Sequence, residues 1–299
     1  MTCPPPTAHH GYPAPHIIPP TSTHTHTIIL LHGTSTSGPT FASSLLSFPF
    51  SIHDPKLASD PTTETLPHLL PSVRFVFPTG KLRISTVFGG VLKHAWFDIT
   101  TFSDRTVGED KQIEGLKESC LYLAELVQEE VKLLEGRSNR VVLGGFSQGC
   151  AMVSFACLSG VLPRVRLGAV IGMSGWLPFR RQIEEVVDSC KGLSSFERRR
   201  AVRGYLLDLL GLEASSGEGH SVGEQCLDTE LWFGHGLADE KVKPQWALEM
   251  SNVMESVGCQ RSMKMYDDLG HWYCAAEMRD IFDFLRRMGL GEGKTELVQ

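Results

Sequence analysis

A chain of 299 residues, 41% of them hydrophobic, is long enough to bury a substantial core and short enough to form one large α/β domain. Its formal net charge of −6 supplies no clustered basic face of the kind that binds nucleic acid or an anionic membrane, so nucleic-acid partners are set aside. No run of about 18 apolar residues occurs, so no transmembrane segment is expected, and residues 1–20 lack the apolar stretch behind a basic flank that marks a secretory signal.

Residues 1–26 are rich in Pro, Thr and His, a composition that opposes both helix and central strand and predicts an extended N-terminal arm. His24 and His26 would share one face of a strand, but no Cys or carboxylate stands at ligand spacing, so they read as part of a solvated lead-in and no metal is expected. From Thr27 the texture changes. Six short apolar runs, at 28–31, 73–77, 141–143, 167–173, 231–233 and 263–266, have the continuous hydrophobicity of parallel strands covered on both faces. Between them, Ile113, Leu116, Leu121, Leu126, Val131 and Leu134 fall near helical spacing, residues 150–158 are compatible with helix, and Ile281, Phe282, Leu285 and Met288 mark a final helix.

Strands alternating with helices predict right-handed crossovers and a doubly wound, mostly parallel sheet with flanking helices, carried on one domain over 27–290 with a tail at 291–299. Residues 211–225 are dominated by Gly, Ser and Glu and predict a mobile loop. Eight scattered cysteines, none in Cys-x-x-Cys spacing, predict free thiols in a reducing cytoplasmic compartment.

The chemistry begins at Gly145-Phe146-Ser147-Gln148-Gly149, between a predicted strand and a predicted helix. A serine on a tight strand-to-helix turn is held in strained backbone geometry with its hydroxyl clear of the sheet, and glycines two residues to either side let the chains pass closely. A hydroxyl is a poor nucleophile at neutral pH and needs a base, which in turn needs a group to fix its tautomer; in this arrangement acid and histidine follow the serine in that order. Downstream histidines are His220, in the Gly/Ser loop, His235, which closes a strand too early, and His271, just beyond the final strand and ahead of the final helix. His271 is therefore the expected base. Asp239, at the tip of the loop after 231–233, is the expected acid, with Asp267 and Asp268 as rivals better suited to capping a turn. An oxyanion hole requires two backbone amides: that of Gln148, and one from the loop Leu31-His32-Gly33-Thr34-Ser35, where Thr34 is the natural candidate.

These stretches, together with Trp96-Phe97-Asp98-Ile99, Ser174-Gly175-Trp176-Leu177-Pro178, His235-Gly236 and Gly270-His271, resemble the acyl-protein thioesterase family, also called the phospholipase/carboxylesterase family of α/β-hydrolases. The resemblance covers most of the chain from about Ile28 onward. It implies the α/β-hydrolase fold, a triad of Ser147, Asp239 and His271, an oxyanion amide at Thr34 and no cofactor. It also implies an acyl groove beside the nucleophile. Leu82, Ile84, Val87, Phe88, Val91 and Leu92, interrupted by Ser85, Gly89 and Gly90, have the composition of a pliable apolar flap there, and Val87, Phe88, Val91, Leu92 and Trp176 are the groove candidates. The chain departs from the family in its Thr34–Gly38 loop and in a longer segment at about 180–230, which contains Arg198, Arg199 and Arg200 and two helical stretches and serves either as surface decoration or as a cap.

The function expected is hydrolysis of acyl thioesters or esters through an acyl-enzyme, with an acylated protein or a small acyl ester as substrate and transient contact with substrate-bearing membranes. A small-ester carboxylesterase or lysophospholipase is the alternative. A non-catalytic binding protein on the same fold is a third reading, opposed by the competent residue at every triad position.

Overall fold

The strands at the centre of the sheet are the most apolar segments of the chain, and they order everything else. In the computed structural model, which describes residues 11–52, 62–163, 165–213 and 228–290, the elements run β1 (His16–Ile18), β2 (His26–Leu31), α1 (Gly38–Leu46), β3 (Phe50–Ile52), β4 (Thr62–Glu64), α2 (Leu66–Leu69), β5 (Val73–Phe77), β6 (Leu82–Ser85), β7 (Val91–His94) and α3 (Ile113–Leu133). They continue as β8 (Val141–Phe146), α4 (Gln148–Ser159), β9 (Ala169–Met173), α5 (Arg180–Ser189), α6 (Ser195–Leu209), β10 (Leu231–Gly236), α7 (Pro244–Ser256), β11 (Arg261–Tyr266) and α8 (Ala275–Arg287). Among these residues no helix is long and apolar enough to cross a membrane.

The main sheet has the order β1-β5-β2-β8-β9-β10-β11, and all pairs are parallel except β1 with β5. Each of the six apolar runs became one of its six parallel strands. Alternation then divides the core. Ile29, Leu31, Leu143 and Phe233 face one side with α3 and α4, while Ile28, Leu30, Val142 and Trp232 face the other with Phe41 of α1 and Ile281 of α8.

The arm is less solvated than its composition predicted. β1 is itself the edge strand, antiparallel to β5 in register His16↔Phe77 to Ile18↔Phe75, a position where flanking prolines cost no ladder bond. Tyr12 is buried, its ring stacked on Tyr122 at 4.0 Å and its hydroxyl 3.0 Å from Ser119 Oγ. Residues 1–10, residues 214–227, which hold most of the loop expected at 211–225, and the tail expected at 291–299 lie outside the described residues.

The described part of the 180–230 segment is a helix pair added to the helical layer. α6 is capped by a reciprocal Ser194–Glu197 box and buries Val202 and Leu206. Arg203 packs against Gly160 at the C-terminal end of α4, roughly 18 Å along the helix from Ser147. The basic cluster serves as a strap. Arg198 donates to the Ser256 carbonyl, and buried Arg199 donates to the carbonyls of Val257 and Gly258 and pairs with Asp228.

Candidate active site

Ser147 sits between β8 and α4 with φ 56° and ψ −118°, in the left-handed region that a side chain with a Cβ normally avoids. Its N–H donates to the Met173 carbonyl at 2.8 Å. The flanking glycines are required by contact. A Cβ on Gly145 would stand 2.4 Å from the Gly149 carbonyl carbon, and one on Gly149 would stand 2.2 Å from the Leu31 carbonyl oxygen. β8, the elbow and the end of β2 therefore close on one another only without those side chains.

The loops after β10 and β11 bring the other two residues to it. His271 Nδ1 donates to Asp239 Oδ2 at 2.7 Å, and Nε2 lies 2.9 Å from Ser147 Oγ, so the imidazole tautomer assigned from this network leaves Nε2 free to accept the hydroxyl proton. Asp239 Oδ1 accepts from the N–H groups of Lys241 and Val242, both at 2.9 Å. Burial pushes the Asp239 carboxyl up, but hydrogen bonds from His235, His271 and Val242 and the charge at His271 outweigh it and hold the carboxyl well below the usual carboxylate range. Asp267 and Asp268 are exposed on the turn before His271.

Two partners of this site were not read from the sequence. His235, fully buried, donates from Nε2 to the Val242 carbonyl at 2.9 Å and stands 3.3 Å from Asp239 Oδ2, while no described residue reaches its Nδ1. The available signal was spacing, a histidine four residues before Asp239 across one tight loop. Arg105 donates to the carbonyls of Thr101 and Lys241, and its guanidinium lies 4.5 Å from the Trp176 ring centroid, bracing the Asp239 loop from the other side.

The oxyanion candidates occupy neighbouring loops. A Cβ on Gly33 would meet the Ser147 Cβ at 3.3 Å, which places the loop carrying Thr34 directly against Ser147. His32 fixes that loop: its Nδ1 donates to the Gly33 carbonyl, its Nε2 accepts from the Gly80 N–H at 2.9 Å, and burial lowers its pKa to about 4, so it is neutral. The Gln148 side chain accepts from the Trp96 N–H and donates to the Phe97 carbonyl, tying the elbow to the segment that follows β7. The Gln148 backbone N–H opens α4, where no intrahelical acceptor exists.

The expected flap is a β-hairpin. β6 and β7 pair from Leu82↔His94 to Ser85↔Val91, and Gly89 and Gly90 take positive φ at the tip. Asp98 accepts from the Thr86 N–H and the Ser35 N–H donates to the His94 carbonyl, which anchors the hairpin beside the Thr34 loop. The groove candidates separate. Val87 packs on the core, and Phe88 reaches Trp176 through Phe102 and Arg105, whereas Val91 and Leu92 are each more than half exposed. Trp176 itself is buried edge-to-face against Phe97. No cluster of three or more metal-ligating side chains occurs among the described residues.

The family model described as phospholipase/carboxylesterase matches residues 12–196. Acyl-protein thioesterase 1 of Yarrowia lipolytica is 34% identical over 276 residues, covering 92% of this chain and 96% of that one. The acyl-protein thioesterase 1 of Debaryomyces hansenii is 24% identical over 215 residues, covering 72% of this chain and 75% of that one. The crystal structure of Zea mays acyl-protein thioesterase 2 superposes with a TM-score of 0.63 at 24% identity, covering 93% of this chain and 99% of that one, and shares the fold.

Proposed function

The chain belongs to the phospholipase/carboxylesterase family of α/β-hydrolases and is an acyl hydrolase, and from that premise we propose that it cleaves acyl thioesters, as its acyl-protein thioesterase relatives are named for doing, on one hydrolase domain over residues 27–290. The observation that carries the proposal is the hydrogen-bonded chain Asp239–His271–Ser147 ending at a strained serine.

Ser147 Oγ attacks the acyl carbon while His271 Nε2 takes its proton, and Asp239 stabilises the imidazolium that forms. Charge on the carbonyl oxygen is received by the backbone N–H groups of Gln148 and Thr34. Collapse breaks the C–S bond, and His271 returns the proton to the departing sulfur. Water, activated by the same histidine, then hydrolyses the acyl-Ser147 ester. None of these steps calls on a cofactor. The acyl chain lies along the β6–β7 hairpin, and an acylated protein presented at a cytoplasmic membrane surface is the substrate class that combines a thioester with such a chain.

A fluorophosphonate probe tests the chemistry. Only a base-activated serine reacts quickly, so the protein should label and Ser147→Ala should not. A variant that still labels and turns over removes Ser147 from the role. Turnover on matched acyl thioesters, oxygen esters and lysophospholipids then decides between thioesterase and the carboxylesterase or lysophospholipase reading.

A further inference from the structure

The residue that follows His271 is an indole left half uncovered. Trp272 is 48% exposed, a state in which a large ring keeps much of its apolar surface in water. It is nevertheless fixed. Its ring stacks on Tyr273 at 4.8 Å and meets Phe146 edge-on at 5.7 Å, and Tyr273 is itself hydrogen-bonded to Ser44 of α1 and packed edge-to-face against Phe48. Phe146 also lies 5.0 Å from the His271 ring, so one buried side chain supports both the imidazole and the indole. Leu237 is exposed to the same degree on the loop after β10, and that loop is joined to the His271 loop by the Ala238 N–H bond to the Leu269 carbonyl at 3.0 Å. The hydrogen bonds that build the Ser147–His271–Asp239 chain do not involve Trp272.

We infer that Trp272 is a specificity-determining residue that receives the leaving group, and that this group is a cysteinyl peptide with apolar or aromatic side chains beside the cysteine, an inference that rests on the Ser147–His271 reading above. The proton that His271 Nε2 takes from Ser147 Oγ must be delivered to the sulfur as the C–S bond breaks. That sulfur therefore comes within hydrogen-bond reach of Nε2, and the chain attached to it departs across the His271 flank, where the indole stands. A rigid, partly exposed tryptophan offers planar apolar area with little ordering cost, which is the property that makes such residues strong contact points for peptides. Contact there acts on acylation alone. Once the peptide has left, the acyl-Ser147 ester is the same whatever the leaving group was, so the effect falls on kcat/KM and not on deacylation.

The test uses two thioesters of one octanoyl group, one on a cysteine flanked by leucine and phenylalanine in a short peptide and one on ethanethiol. Their intrinsic difference in leaving ability cancels when each enzyme's ratio of kcat/KM, peptide over ethyl, is compared. Trp272→Ala should lower that ratio on the order of tenfold, and Trp272→Phe should keep most of it. A ratio unchanged in Trp272→Ala, an equal loss on both thioesters, or a Trp272 dependence confined to lysophosphatidylcholine would each overturn the inference. Failure of the underlying reading is seen separately, as a wild-type protein that fluorophosphonate does not label at Ser147.

Discussion

His235 Nε2 stands 2.9 Å from the Val242 carbonyl oxygen and 3.3 Å from Asp239 Oδ2, so one buried imidazole N–H spans the loop that carries Asp239. His235→Leu removes that donor and leaves a buried carbonyl and a carboxylate oxygen short of a partner. A lost hydrogen bond to a charged group costs about 1.5–3 kcal/mol, which predicts a fall in kcat of roughly ten- to a hundredfold. His235→Gln, which keeps a donor at similar reach, should recover much of it. Equal losses in the two variants, measured by steady-state kinetics with circular dichroism as the fold control, would assign His235 to packing alone.

Asp239→Asn should preserve the fold and lower kcat by several orders of magnitude, on the order of 10⁴ as in serine-protease triads, because the amide mis-sets the His271 tautomer. Asp267→Asn and Asp268→Asn should be mild, since both side chains are exposed on the turn. The reverse ranking of kcat would move the acid to the His271 loop.

Gly149→Ala should cost both stability and labelling, because its Cβ would be driven to 2.2 Å from a backbone oxygen that neither β2 nor α4 can withdraw. Gly204→Ala is the contrast. Nothing lies within 4 Å of a Cβ there in the middle of α6, so the alanine should stabilise by roughly 0.5–1 kcal/mol through helix propensity. Thermal melts of the two variants should move in opposite directions.

Glu277 is fully buried on α8, its carboxyl pushed up to about 8 by burial and by the Asp280 charge, which outweigh the lowering effect of the Cys274 backbone N–H. With the folded pKa above the unfolded one, the stability linked to this proton is complete below pH 4.5 and is lost as pH rises through about 8. Glu277→Gln removes that dependence, so the difference in Tm between variant and wild type should grow in the variant's favour from pH 5 to pH 9. A constant difference would mean that the carboxyl is already ionised in the folded protein.

Replacing Phe88 and Leu92 with serine should flatten the rise of kcat/KM with acyl length, which at up to about 0.8 kcal/mol per buried CH₂ amounts to roughly tenfold for two methylenes. Assays on thioesters from acetyl to decanoyl read this directly. A wild-type profile that falls with every added methylene would remove the hairpin from acyl binding.

The sheet was legible in the sequence because strands covered on both faces must be continuously apolar, and each of the six runs became one parallel strand. The ends of those strands were not. β8 continues through Gly144 and Gly145, residues that ordinarily weaken a strand, because a Cβ on Gly144 would strike the Ile171 carbonyl oxygen at 2.7 Å, and only the neighbouring strand reveals that constraint. Ser147, Asp239 and His271 could be put forward as the site residues from chain order and loop position, since acyl transfer through a serine calls for those residue types and the fold restricts where they stand. Their meeting within 2.9 Å, the role of His235 and the placement of Trp272 depended on three loops converging from β8, β10 and β11. The same holds for the arm and the hairpin. Proline-rich composition cannot disclose that Tyr12 stacks on Tyr122, and the apolar residues at 82–92 carry no mark that four of the six, Leu82, Ile84, Val91 and Leu92, face water. Local sequence restricts backbone conformation and the side to be buried, whereas the distance between side chains far apart in the chain is settled only when the packed layers bring them together.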